Sequence, residues 1–264
     1  MQTRVVFGGI ALLIFLPFLI IGGLSFQLFV GLMAMIGVSE MFRIRRLEVF
    51  SLEGILSMMA TFCLVVPLGN YLTFLPVEAS LIVYGILIFA LLAGTVLNHS
   101  RYSIEDAAYP IISTIYVGLG FHYLIAARDA GFDKVFFALL LVWATDIGAY
   151  TIGRRYGRTP LMPTVSPNKT IEGSLGGVVS AVIVSVIFMM VDSSVYTPHS
   201  FLMMLILVVI FSITGQFGDL IESAMKRHFG VKDSGKLIPG HGGILDRFDS
   251  LLLVFPMMYL FGLF

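Results

Sequence analysis

The sequence predicts an all-α protein: a polytopic transmembrane helical bundle of about nine spans with its N-terminus in the cytoplasm. Three observations predict it. Of the 264 residues, 58% are hydrophobic and only 12% are charged, proportions expected when most of a chain meets lipid rather than water. Apolar windows of roughly 17 to 22 residues recur along the whole length. The basic residues gather on one side of the membrane those windows define.

In order, the windows lie near residues 5–21, 24–41, 52–69, 79–97, 107–127, 132–151, 173–191, 201–219 and 249–264. The first two are separated only by the "GGLS" stretch and could form one broken or re-entrant element. The last is near the lower limit for a span, so eight or ten spans are also compatible with the pattern. No small-residue cleavage pattern follows the first run, which is therefore expected to be an anchor and not a cleaved leader. Residues 1–100 form the expected N-terminal set of helices. Residues 101–264 form the expected catalytic membrane region, with cytoplasmic loops at 152–172 and 220–248.

Charge placement supports this order. With the N-terminus inside, the inner segments hold Arg4, Arg43, Arg45, Arg46, Arg101, Arg154, Arg155, Arg158, Lys169, Lys226, Arg227, Lys232, Lys236 and Arg247, fourteen of the sixteen basic residues. Only Arg128 and Lys134 fall outside. Such a bias follows the positive-inside rule and puts both large polar loops in the cytoplasm. A formal net charge of zero gives no reason to expect nucleic acid as a partner. The single cysteine, Cys63, excludes a disulfide within the chain.

Three groups of acidic residues stand at the ends of apolar runs. Asp146 interrupts "FFALLLVWATDIGAYTIG", where a carboxylate is costly unless it is hydrated, paired or faces a polar cavity. Asp219 and Glu222, three apart, are followed by Lys226, so all three share a helical face. For Glu222 an ordinary solvated ion pair is a sufficient account, whereas Asp219 arrives at the membrane boundary on a long apolar run. Asp246 and Asp249 precede the final run and are expected in the first turn of its helix, where backbone N–H groups and the helix dipole favour anions. Capping accounts for one aspartate and leaves the second, with Arg247 and the upstream "PGHGG", to be explained.

Hard divalent cations prefer oxygen ligands, so Asp219, Asp246 and Asp249 point to magnesium; the Cys and His spacing of a zinc site is absent. Magnesium and basic loops together suggest phosphates. Lys226, Arg227, Lys232 and Lys236 can offset polyanionic charge, and Arg247 can bind phosphate through two parallel hydrogen bonds. Gly240, Gly242 and Gly243 leave room for backbone N–H groups to approach such a ligand. A P-loop pattern is absent. His241 is open between ligand contact and a structural role. In the loop "GRRYGRTPLMPTVSPNKTIEG", Arg154, Arg155 and Arg158 suit anionic headgroups, while Ser166, Asn168, Lys169 and Thr170 suit recognition of a phosphate or a base. "FRIRRLE" reads as an orientation determinant. His99, His122, His199 and His228 share no metal spacing and are expected to be structural. Small residues in several runs allow close helix contacts, so a homodimer is expected as well.

The stretch "SAMKRHFGVKDSGKLIPGHGGILDRFD", residues 223–249, resembles the signature of the phosphatidate cytidylyltransferases, also called CDP-diglyceride synthases. Its matching members are Ser223, Lys226, Arg227, Lys232, Asp233, Pro239, His241, Gly242, Gly243, Asp246, Arg247 and Asp249. A second block, from Asp146 through "SPNKTIEGSLGG", is similar to another region of that family, except that Asn168 stands where a lysine is common. The first hundred residues match only in hydropathy and number of spans. The resemblance implies a helical enzyme of the bacterial cytoplasmic (inner) membrane with its active site facing the cytoplasm. It implies CTP and phosphatidic acid as substrates, CDP-diacylglycerol and pyrophosphate as products, magnesium as cofactor, and a dimer. The mechanism expected for such a reaction is in-line attack by the phosphatidate oxygen on the α phosphorus of CTP, without a covalent enzyme intermediate. Asp219, Asp246, Asp249 and Lys226 are the expected catalytic residues. Asp146, Ser166, Asn168, Lys169, Arg227, Lys232, Asp233, His241, Gly242, Gly243 and Arg247 are expected to bind substrate.

Other functions compete with this one. A CTP-dependent kinase of membrane lipid alcohols would need the same nucleotide, cation and basic loops. A cation-coupled transporter would place its polar groups near the membrane midplane, whereas here they cluster at the cytoplasmic ends. The pattern of the CDP-alcohol phosphotransferases is absent, and a membrane scaffold would have no use for the concentration of aspartate, lysine and glycine.

Overall fold

The computed structural model describes residues 2–72, 74–98, 100, 102–237, 240 and 242–264, of which residues 2–6 are described by backbone alone. His99, Arg101, Pro239 and His241, and the side chain of Arg4, lie outside the described residues. Ten helices account for most of the described chain: α1 (Gln2–Ile21), α2 (Gly23–Ile44), α3 (Leu52–Val65), α4 (Ala79–Leu97), α5 (Ile104–Ala130), α6 (Phe132–Tyr156), α7 (Ile171–Val191), α8 (Phe201–His228), α9 (Leu245–Phe248) and α10 (Leu251–Leu260). A small antiparallel hairpin of β1 (Pro160–Met162) and β2 (Ser166–Thr170) joins α6 to α7.

Each apolar window of the sequence coincides with a helix. Helices α2, α4, α5, α6, α7 and α8 are long and apolar enough to cross a membrane, while Phe7–Ile21, α3 and α10 are shorter apolar helices. The protein is an all-α, polytopic integral membrane protein. The "GGLS" break resolves as a turn between two separate helices: Gly22 and Gly23 have φ of 69° and 57°, a left-handed conformation open to glycine.

The chain divides into two compact units. One comprises residues 1–125 and 233–247; the other comprises residues 126–232 and 248–264. In the first, Phe18 stacks on Phe29 at 4.3 Å between ring centroids, which binds α1 to α2. Helix α2 lies so close to the end of α3 that a Cβ on Gly31 would come within 2.6 Å of Val66. Ser51 caps α3 by accepting the Gly54 N–H, a satisfied helix start of the usual kind. Tyr109 of α5 donates its hydroxyl to the Met41 carbonyl of α2 at 2.7 Å. Arg45 lies over the Tyr109 ring at 5.0 Å and pairs with Asp106 at 3.6 Å. His122 is structural, with Nδ1 3.0 Å from the Leu64 carbonyl.

In the second unit α6 and α7 approach backbone to backbone. A Cβ on Gly177 would sit 2.7 Å from the Thr145 carbonyl, and one on Gly148 would sit 2.2 Å from Ser180 Oγ and 2.8 Å from the Gly176 carbonyl. Small residues permit this close packing, which replaces the hydrophobic drive that lipid does not supply. Thr145 and Ser212 share a hydrogen bond of 2.9 Å between α6 and α8. Near the other end of α6, the buried Lys134 donates to the carbonyls of Ser194 and Val195 at 3.0 and 2.9 Å. His199 is also structural, with Nε2 2.7 Å from the Phe261 carbonyl.

Crowding at Gly177 makes a contrast testable. Gly177→Ala is expected to destabilise the detergent-solubilised protein by about 1–3 kcal/mol, the usual cost of overpacking. Gly85→Ala in α4, where a Cβ meets nothing within 4 Å, is expected to change stability by less than about 1 kcal/mol. Thermal unfolding of the two variants side by side checks both.

Candidate active site

Helix α8 carries the centre of the site in the second unit. Residues 219, 222, 223 and 226 follow one another at three- and four-residue steps, so their side chains share one face. Asp219 Oδ2 receives Lys169 Nζ at 2.5 Å, and Asp219 Oδ1 receives the Ser223 hydroxyl at 3.1 Å. Both members of the Lys169–Asp219 pair have side chains 29% exposed, so the pair is partly desolvated yet reachable. About two turns beyond Asp219 along α8, Lys226 Nζ lies 3.2 Å from Glu222 Oε1.

That second pair corrects the sequence reading of Glu222. The expectation was an ordinary solvated ion pair; Glu222 is completely buried and Lys226 nearly so. The same face of α8 that presents Asp219 turns Glu222 toward the protein interior. A buried charge needs a partner of opposite sign, and Glu222 thereby fixes where the Lys226 ammonium points.

Asp249 joins this group through a close backbone approach. A Cβ on Gly218 would lie 2.5 Å from the Asp249 carbonyl oxygen and 3.0 Å from Ser250 Cα, so only glycine lets α8 come so near the segment between α9 and α10. Asp249 lies within electrostatic range of Asp219, Lys226 and Asp146. It is half-buried and accepts the Ser250 N–H at 2.7 Å. Asp146 itself is exposed on α6.

The hairpin between α6 and α7 supplies the opposing cation. Thr170 caps α7 by accepting the Gly173 N–H at 3.1 Å. Glu172, in the first turn of α7, accepts the N–H groups of Arg158 and Thr159 and the Thr159 hydroxyl. These bonds pin both ends of the loop and leave β2 at a defined place, with Lys169 on Asp219, Asn168 exposed and Ser166 half-buried. Arg227 reaches the hairpin as well, through Nε to the Val165 carbonyl at 3.3 Å, and also bonds the Val231 carbonyl at 3.4 Å. Lys232 is exposed.

Asp233, Gly242, Gly243, Asp246 and Arg247 belong to the first unit, where two carboxylates gather the polar groups of Ser234 and of residues 243–245. Asp246 Oδ2 accepts the N–H groups of Ser234 and Gly243 and the Ser234 hydroxyl, each at 2.8 Å. Glu40, from α2, accepts the N–H groups of Ile244 and Leu245 at 2.9 Å each and the Ser234 hydroxyl at 3.1 Å. Two expectations change here. Gly243 was read as freeing its N–H for a phosphate, but that N–H is held by Asp246. Nor do Asp246 and Asp249 share the first turn of one terminal helix: α9 ends at Phe248, and α10 begins at Leu251 after Ser250. Asp233 and Arg247 are exposed.

Among the described residues no group of three His, Cys, Asp or Glu side chains is close enough to hold a metal ion. Asp219, Asp246 and Asp249 thus do not appear as a closed cluster. The chemistry of Asp219 and Asp249 nevertheless suits magnesium, which uses one or two carboxylates and completes its six ligands with water and substrate phosphate oxygens.

Sequence reasoning missed Glu40. The signal was present, because an acid inside the apolar run "FQLFVGLMAMIGVSEMF" demands the same explanation as Asp146. The neighbouring arginines made it look like one more boundary charge.

The cytidylyltransferase family model matches residues 2–264. The chain is 43% identical to a phosphatidate cytidylyltransferase of Staphylococcus haemolyticus over 261 residues, covering 98% of this chain and 97% of the relative. It is 41% identical to that of Staphylococcus epidermidis over 260 residues and 40% identical to that of Staphylococcus aureus over 261, with the same coverage in both cases. Similarity that runs through α1 to α10, including the helices whose sequence alone matched only in hydropathy, leaves one conclusion: the chain belongs to the cytidylyltransferase family.

Proposed function

We propose that the chain is a phosphatidate cytidylyltransferase of the bacterial cytoplasmic membrane, with its active site on the cytoplasmic side. It would transfer CMP from CTP to phosphatidic acid, giving CDP-diacylglycerol and pyrophosphate. The observation that carries this reading is the cluster of Asp219, Lys169, Asp249, Glu222 and Lys226 on and around the end of α8. It lies in a chain matched end to end by enzymes of that name. A dimer and nine spans belong to the same proposal.

The reaction needs no base and no covalent intermediate. A phosphate monoester has its second ionisation near about pH 6, so the phosphatidate oxygen is already a nucleophile at neutral pH. A bond forms from that oxygen to the α phosphorus of CTP. The bond from the α phosphorus to the oxygen bridging to the β phosphate breaks, and its electron pair leaves with pyrophosphate. The protein's task is to bring two polyanions together and steady the charge that moves onto the leaving group.

Lys169 and Lys226 suit different parts of that task. Lys169 neutralises Asp219 and lies on a hairpin, so an arriving phosphate can compete for it. Lys226 is held by a buried carboxylate and acts as an oriented point charge. Arg227, Lys232, Ser166 and Asn168 line the polar ends from which further phosphate and base contacts would come. Asp219 and Asp249 would hold magnesium, which would supply charge neutralisation at the phosphates.

Three outcomes are expected. Purified protein given phosphatidic acid and CTP labelled at the α phosphate should move that label into lipid; label that stays soluble while the γ phosphate of CTP is transferred would make the chain a kinase. Asp219→Asn and Lys169→Ala should lower kcat/KM by about a hundredfold and about tenfold respectively. Because the two side chains touch, the double variant should lose less than the product of the two; multiplicative losses would separate their roles. Lys226→Ala should both inactivate and destabilise, because it strands Glu222; removal of one member of a buried pair costs about 3–5 kcal/mol. Replacing the pair together, Glu222→Leu with Lys226→Met, should restore most of the stability and none of the activity, as read by thermal unfolding beside turnover.

A further inference from the structure

Glu40 lies near the end of α2, is completely buried, and takes no part in the chemistry above. Both of its oxygens are committed to a loop that follows 194 to 205 positions later in the chain: the Ile244 N–H to Oε1, and the Leu245 N–H and Ser234 hydroxyl to Oε2. The loop is built around this carboxylate. A Cβ on Gly243 would come within 2.3–2.4 Å of three Glu40 side-chain atoms, and one on Gly235 within 2.7 Å of Glu40 Oε1. Neither position has room for a side chain while the Glu40 carboxylate keeps its hydrogen bonds, independently of any ligand.

The bond pattern favours a carboxylate over an amide. Two consecutive N–H groups and a hydroxyl converge on acceptor atoms only; a glutamine would turn an NH2 group toward one of the donors. Ser234 links this carboxylate to a second one, because its hydroxyl is within hydrogen-bond distance of both Glu40 Oε2 at 3.1 Å and Asp246 Oδ2 at 2.8 Å. One proton serves two acceptors, so the position of Asp246 is coupled to that of Glu40. An apolar side chain could have filled the same space without the cost of burying a charge. What it could not do is aim two successive peptide N–H groups and, through Ser234, the Asp246 carboxylate.

We propose that Glu40 is a positioning residue for nucleotide binding. It sets the turn through residues 243–246 and so orients Asp246 and the adjoining Arg247, while touching no substrate itself. The proposal rests on the cytidylyltransferase reading given above. Its prediction differs from that of a mere staple: loss of a staple lowers the amount of active protein, whereas loss of a positioning residue changes how the active protein responds to CTP.

The test uses the full-length protein in detergent micelles containing phosphatidic acid. Glu40→Gln is expected to raise the KM for CTP by about tenfold, within the usual range for removing a supporting partner of a ligand. The KM for phosphatidate should stay within about twofold. Ser234→Ala should shift the CTP response in the same direction by less, and Glu40→Asp should recover part of the loss. Hydrogen exchange provides a readout apart from activity: peptides spanning residues 234–245 should exchange faster in Glu40→Gln, and those from α8 should not. An unchanged KM for CTP in both Glu40→Gln and Ser234→Ala overturns the positioning role, and unchanged exchange in the 234–245 peptides overturns the clasp itself. A wild-type protein inert toward phosphatidate and CTP overturns the functional reading instead, and the exchange result still decides whether the clasp exists.

Discussion

In a chain that is mostly apolar, an ionised carboxylate cannot be left without partners, and this requirement governs how both units are assembled. Removing a charge from water costs several kcal/mol even after the protein relaxes around it. Glu40 meets the requirement with backbone N–H groups and a hydroxyl, Asp246 with another set of N–H groups and the same hydroxyl, Asp219 with a lysine and a serine, and Glu222 with a lysine. Each solution also fixes a piece of chain that has little hydrophobic reason to be fixed. Ser234 and residues 243–245 are held by two carboxylates, and the hairpin carrying Lys169 is tied down by Glu172 and Asp219. Polar satisfaction here does the organising work that a hydrophobic core does in a soluble protein.

Glycine is the complement of this requirement. At Gly218 it lets α8 touch the Asp249–Ser250 backbone, and at Gly177 it lets α7 touch α6. The first contact brings two acidic residues into each other's field. The second provides the rigid helix pair from whose ends the hairpin projects. A polyphosphate reaction on a lipid substrate needs charge at the level of the headgroups, since a phosphate does not enter the hydrocarbon region cheaply. Long helices that carry charge at their ends, with short polar loops between them, meet that need with little additional structure.

Similarity along the whole chain alters how the first hundred residues are understood. Their sequence shows hydropathy and little else, yet α2 supplies Glu40, which accepts the N–H groups of Ile244 and Leu245 in the most recognisable motif of the chain. Helices that look like membrane anchors can therefore hold residues that bond directly to a motif near the other end of the chain.

The sequence by itself determined the class, the apolar helical segments, the separation of polar loops from apolar runs, and the shared helix of Asp219, Glu222 and Lys226. These follow from local rules: window hydropathy, charge bias and helical spacing all act over a few turns of chain. It also carried the family pattern, because a dense series of charged residues and glycines has few other uses. Only the tertiary structure decided which acids are buried. Glu222 and Asp219 are three residues apart on one helix, yet one turns inward and the other stays accessible. It likewise decided that Gly242 and Gly243 are crowded by Asp246 and Glu40, not left open for a ligand, and that the helix is interrupted at Asp249 and Ser250, between α9 and α10. The physical reason is one of range. A hydrogen bond from Leu245 to Glu40 joins positions 205 apart, and no periodicity read along the chain can register a contact that exists only once the helices have packed.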